Sequence, residues 1–217
     1  MIESVDDLAE EISRYFESKD EARERALKLN RLVIRKCGAA IRSVHREEFE
    51  KAEDLMNEAG SFLEEIRTLL SDHPDVRHAG FVTNAEQEYA EARVVYSIIT
   101  RNKTPAPDEV GVEMVGYLGG LGDTTGELRR HILDLIRKGK PEEGEPYLEA
   151  MEEIYHLLML FDYPDAITGG LRRKSDMARS LLERTRGDLT NAIGQRKLEV
   201  QLAQLEAQRQ STNANGR

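Results

Sequence analysis

Apolar residues recur along this chain at intervals of three and four with charged residues between them, the pattern of helices that each bury one face. Ser4 followed by Asp7 has the form of an acidic capping box, and the periodicity behind it predicts a first helix reaching about Arg46, with a break near Lys19. A second helix is expected from Glu48 to Leu70, closed by Ser71-Asp72-His73-Pro74, because proline cannot continue a helix. A third covers Asn84 to Thr100. After the linker Asn102 to Pro107, a fourth is expected from Asp108, read as its N-cap, to Gly139, where Arg137, Lys138 and Lys140 suit the negative helix end. A fifth spans Glu143 to Phe161, and a short turn after Asp162-Tyr163-Pro164 leads into a long helix from Leu171 to Gln210. Six or seven helices, with no hairpin signal and no internal repeat, predict an all-α antiparallel bundle.

Composition supports this class. Hydrophobic residues make up 39% and charged residues 33%, with no Trp and six Pro, a balance suited to long amphipathic helices. The 217 residues fit one domain, taken as residues 1–210, with a polar tail at 211–217 expected to be disordered. The single cysteine, Cys37, excludes an intramolecular disulfide and points to a reducing compartment, so the expected location is the cytoplasm and the expected place of Cys37 is the core. Met1-Ile2-Glu3-Ser4 lacks the basic start and apolar stretch of a secretory signal, and Val94 to Ile99 is too short to cross a bilayer. No membrane partner is expected.

A net charge of −10 means that any contact with a polyanion must rest on cations gathered locally. The first helix offers such a gathering. Lys28, Arg31, Arg35, Arg42 and Arg46 fall within an arc of about 60°, with Leu27, Ile34, Cys37, Ile41 and Val44 toward the other side. Two readings are open: a stripe that tracks phosphates, or a solvated face that pairs with acids of a neighbouring helix or subunit. With no aromatic residue among these positions, a membrane-surface role is disfavoured.

Two pairs of acids share the helical spacing that makes side chains neighbours. Glu88 and Glu91 are three apart, and Asp123 and Glu127 are four apart. Like charges so placed repel unless a cation lies between them, and hard carboxylate oxygens suit Mg²⁺, with Mn²⁺ as an alternative ion. The bland reading is a wet acidic face, since an acidic chain produces such pairs freely. Tyr89, Ala92, Val95 and Ile99 beside the first pair, and Leu121, Leu128 and Leu135 beside the second, argue for a drier setting. Gly116, Gly119, Gly120, Gly122 and Gly126 lack the Lys-Ser/Thr ending of a phosphate loop, which leaves close helix packing or close approach of a substrate.

Glu88-Tyr89-x-Glu91, Tyr117-Leu118 and Asp123-x-Thr125-Gly126-Glu127-Leu128, with Lys28-Leu29-x-Arg31 and His45-Arg46 on the first helix, together resemble the translin superfamily, in its translin-associated factor X (TRAX) branch. The resemblance implies an all-α fold of about seven helices, a hollow octamer, and Mg²⁺-dependent endoribonuclease activity. It makes Glu88, Glu91, Asp123 and Glu127 the catalytic and metal-binding acids. His131, one turn beyond Glu127, is not among the family's ligands.

The expected function is therefore cleavage of RNA, single-stranded or small duplex, inside a homo-oligomeric shell, with single-stranded DNA as a further possible ligand. A second reading is a non-catalytic RNA- or DNA-binding scaffold, whose Leu181, Leu182, Leu189, Ile193 and Leu198 bury against other subunits. A third is a di-iron carboxylate bundle, prompted by Glu153-x-x-His156; such a site needs two motifs of this kind, and the sequence holds one.

Overall fold

The computed structural model describes residues 4–215, with side chains described through residue 210. The order is α1 (Val5–His45), α2 (Phe49–Leu69), α3 (Pro74–Arg77), α4 (Phe81–Ile99), α5 (Pro107–Val110), α6 (Met114–Arg137), a 3₁₀ turn (Pro141–Gly144), α7 (Glu145–Met159), α8 (Asp165–Thr168) and α9 (Leu171–Asn215). No strand occurs among the described residues, and the all-α class predicted from periodicity holds.

Ser4 caps α1 as its spacing predicts, its hydroxyl accepting from the Asp7 amide at 3.1 Å. The expected break near Lys19 does not occur. Nothing between residues 5 and 37 is Gly or Pro, and the Lys19 ammonium pairs with Asp75 at the start of α3. The predicted fourth helix is interrupted instead. Ala106 precedes α5, Glu109 accepts from its amide at 2.7 Å, and Asp108 lies inside the turn rather than capping it. Gly111 then adopts a left-handed φ of 72°, which an L side chain rarely tolerates, and its carbonyl accepts from Arg67 instead of continuing a helix.

The chain forms two compact units, Met1–Leu121 and Gly122–Arg217. In the first, α1, α2 and α4 pack on one another around Leu29, Val33, Cys37 and Ala40 of α1, Met56, Leu63 and Ile66 of α2, and Ala85, Tyr89, Ala92 and Val95 of α4. Full burial of one such aliphatic side chain is worth about 1.5–3 kcal/mol. Leu27 and Ile34, expected on the apolar side, are only half-buried, because the buried arc is centred on Val33.

In the second unit, α7 and α9 pack together, with Leu128 and Ile132 of α6, Met151 and Leu158 of α7, and Ala178, Leu182 and Leu189 of α9 buried. Leu182 and Leu189 thus belong to this unit's own core, Leu181 and Ile193 are half-buried, and Leu198 is exposed. From Gly194 to Gln210 every residue of α9 is exposed. The helix runs on to Asn215, past the expected end at Gln210, while residues 216 and 217 of the expected tail lie outside the described residues. Among the described residues, no helix is long and apolar enough to cross a membrane.

Candidate metal and nucleic-acid sites

Within the first unit, α4 carries Glu88 half-buried and Glu91 only 9% exposed. Both carboxylates act on Cys37 of α1, whose thiol is pushed far up, chiefly by its burial and further by these two charges. Glu88 and Glu91 therefore sit on the side of α4 that looks toward α1. The drier setting expected from Tyr89, Ala92, Val95 and Ile99 is present, since all four are buried.

Glu86 has no place in the predicted site, yet it is the most buried acid of α4, at 2% exposure. Burial raises its pKa, and the Arg67 guanidinium, 3.4 Å from its Oε1, opposes the rise. Arg67 of α2 also holds the Gly111 carbonyl, so one side chain ties α2, α4 and the segment before α6. Spacing from the other acids puts Glu86 on a different face; only the register of α2 reveals its partner.

The glycines of α6 resolve toward packing. A Cβ at Gly116 would lie 2.8 Å from the Glu86 Cβ, one at Gly119 would strike the Gln87 side chain, and one at Gly120 would lie 2.7 Å from the Gln87 carbonyl oxygen. Backbone thus meets side chain and backbone of α4 beside the acid pair. Gly126, by contrast, would place a Cβ no closer than 4.0 Å to Leu181.

Within the second unit, Asp123 and Glu127 of α6 are both half-buried, with Thr124 and Thr125 fully buried between them. Lys174 of α9 donates to both Asp123 oxygens, at 2.5 and 2.7 Å. Glu127 lies 3.5 Å from Arg130 on its own helix. His131 packs edge-on against Tyr147, with ring centroids 4.5 Å apart.

Lys174 is absent from the residues predicted by sequence, although a signal for it was present. Arg172, Arg173 and Lys174 open α9, where the positive helix end disfavours cations, so a compensating acid was to be expected.

As donors, the acids fit a hard divalent cation, and an ammonium already stands as a cation on Asp123. Among the described residues, no three His, Cys, Asp or Glu side chains are drawn together as a ready metal cage. Glu153 and His156 of the di-iron reading are both exposed, and His156 rests near the Tyr155 ring.

All five stripe residues, Lys28, Arg31, Arg35, Arg42 and Arg46, are exposed or half-exposed at the surface of α1. Among the described residues Lys28, Arg31, Arg35 and Arg42 enter no ion pair, whereas Arg46 acts electrostatically on Glu48. The cations of α1 that pair with neighbouring helices are different ones. Lys36 meets Glu58 of α2 at 2.5 Å, Arg25 pairs with Glu65, and Lys19 with Asp75. Lys36 and Arg25 lie about 100° round the helix from the stripe. Within the unit, the acid-pairing alternative thus applies to those residues and not to the stripe.

No family model matches the chain. MJ0175, an uncharacterized protein of Methanocaldococcus jannaschii, is 34% identical over 194 residues, which span 88% of this chain and 86% of that one. Among solved structures, AfC3PO in its complex with duplex RNA is 31% identical with a TM-score of 0.79, over 87% of this chain and 97% of that chain. The crystal structure of AfC3PO is 32% identical with a TM-score of 0.80, over 87% of this chain and 98% of that one. Apo-NeC3PO follows at 26% identity and a TM-score of 0.72, over 88% and 98%. These overlaps define an all-helical, translin-type protein. The chain belongs to the C3PO/translin family.

Proposed function

We propose that the protein is a Mg²⁺-dependent endoribonuclease of the TRAX-like branch, acting on RNA, single-stranded or short duplex, in the cytoplasm. Glu88, Glu91, Asp123 and Glu127 are its metal-binding and catalytic acids, and Lys28, Arg31, Arg35, Arg42 and Arg46 hold the strand. The observation that carries this reading is the placing of both acid pairs partly out of water, where neighbouring carboxylates draw positive charge to themselves, as Asp123 draws the Lys174 ammonium. The duplex RNA bound by the AfC3PO relative supports RNA as the ligand.

When bound, Mg²⁺ supplies an acidified water and neutralises charge on the phosphate. The chain's own part is to present carboxylates as ligands and to grip the phosphate backbone through guanidinium and ammonium groups at its surface. The family resemblance further suggests a single translin-like domain assembled as a homo-octamer, with single-stranded DNA as a second ligand.

The test is cleavage of end-labelled RNA by the purified protein with Mg²⁺ or Mn²⁺, stopped by a chelator. Products should carry 5′-phosphate and 3′-hydroxyl ends, and D123A and E127A should lose cleavage while keeping RNA binding. Undiminished cleavage in both variants would remove these acids from the site. The basic stripe also suits a scaffold that binds RNA without cutting it. Tight binding with no metal-dependent cleavage would establish that reading instead.

A further inference from the structure

Several ion pairs of the second unit, Arg130–Glu127, Arg137–Asp134 and Arg179–Glu183, lie within a turn of one helix, with an exposed arginine in each. Among the described residues, three join two helices: Arg129–Asp188, Arg186–Glu152 and Lys174–Asp123. In the first two the acid or both partners are a third or more exposed, whereas Lys174 and Asp123 are each about three-quarters buried and the ammonium contacts both carboxylate oxygens. The backbone makes room for the lysine. A Cβ at Gly122 would lie 3.0 Å from Lys174 Cβ and 3.4 Å from its Cδ, so the missing side chain at 122 is the channel along which the lysine stem runs.

Its position within α9 runs against local preference. Lys174 follows Arg172 and Arg173 in the first turn, at the positive helix end. Arg172 and Arg173 are exposed to water, while Lys174 is drawn in. Asp123 supplies the negative charge that offsets this placement.

We propose that Lys174 is the resident counter-ion of Asp123: it holds the carboxylate in the metal-free protein and must be displaced for a divalent cation to bind there, so that it sets the affinity of the metal site. This rests on the Mg²⁺ reading above. Both oxygens of Asp123 are engaged by the ammonium, and a metal ion must take at least one of them. A lysine suits the task because its charge is compact and its four-carbon stem can rotate away, whereas an arginine fork would grip the carboxylate in a fixed plane. Lys174 is thus a positioning residue whose competition with metal is part of the design.

The experiment is Mn²⁺ titration of the full-length protein, read from the electron paramagnetic resonance signal of the free ion, on wild type, K174M, K174Q and D123N. Methionine keeps the stem over Gly122 and removes the charge; glutamine removes the charge and keeps a hydrogen bond, and serves if K174M does not fold. Wild type should bind Mn²⁺ in a manner that D123N weakens, and the neutral variants should bind about tenfold more tightly, the scale of one charge-assisted hydrogen bond no longer to be broken.

Without metal, K174M should melt below wild type, and Mn²⁺ should raise its Tm by more than it raises that of wild type. A lysine that only braced the fold would lower metal affinity on removal. If wild type binds Mn²⁺ through Asp123 and the neutral variants bind no more tightly, the counter-ion role is overturned and the metal site stands. If D123N changes nothing in wild-type Mn²⁺ binding, the metal reading at Asp123 falls, and this proposal with it.

Discussion

The Gly120 backbone rests directly on Glu91: a Cβ at 120 would lie 2.8 Å from the Glu91 amide nitrogen, closer than any real side-chain carbon approaches. The acid pair of α4 is therefore held against a stretch of α6 that has given up its side chains. G120A should destabilise the protein by about 1–3 kcal/mol, the usual effect of overpacking a tight contact. At Gly126 the same change meets only an ordinary van der Waals contact, with Leu181 at 4.0 Å, and G126A should stabilise α6 by up to about 1 kcal/mol through helix propensity. Chemical denaturation of the two variants checks both signs, and equal effects would contradict the close approach at Gly120.

The stripe predicts a division between cations of the same helix. Arg31→Gln and Arg35→Gln should each weaken RNA binding and reduce the slope of affinity against salt by about one unit for each phosphate that is no longer neutralised. Lys36→Gln, which removes a partner of Glu58, should leave that slope unchanged. Fluorescence anisotropy over a range of salt concentrations measures it. A slope that falls equally in all three variants would refute the assignment.

Glu86 predicts a pH effect. Burial raises its folded pKa, so folding favours the protonated acid, and the cost of the charge grows as pH rises from the ordinary glutamate range toward neutrality. Wild type should thus lose stability relative to Glu86→Gln as pH goes from about 4 to about 7. Melting temperatures of the pair at both values test the sign, and a difference independent of pH would show that Arg67 neutralises Glu86 fully.

Cys37 is the chain's single thiol, and burial is the larger cause of its raised pKa, with Glu88 and Glu91 adding to it. It should resist thiol reagents in the native protein and react at the rate of unfolding. Because burial dominates, Glu91→Gln should not unmask it. Since the folded pKa lies above the unfolded one, stability should fall as pH rises past the usual cysteine range. Rapid labelling of native wild type would disprove the burial.

Much of this was legible in the sequence because periodicity is a local property. The helices and the outward placing of Lys28 to Arg46 follow from 100° per residue, and the burial of Cys37 from the same arithmetic. Local signals failed where a distant side chain decides. Gly111 breaks a predicted continuous helix with a left-handed turn whose carbonyl is held by Arg67, far away in sequence. Lys19 suggested a break and instead found Asp75. For the candidate site, spacing identified which acids are neighbours on a helix, but the ammonium on Asp123 and the guanidinium on Glu86 come from other elements. Only the fold brings them there.

α9 joins two environments in one unbroken helix: Leu182 and Leu189 are buried, while Gly194 to Gln210 are exposed throughout. A helix of that length without a buried face is marginal in water, so amide protection should decline along α9 from the buried leucines outward. The outer turns therefore form a built-in gauge. Hydrogen exchange there reads whether this surface of the chain is covered, with no label attached.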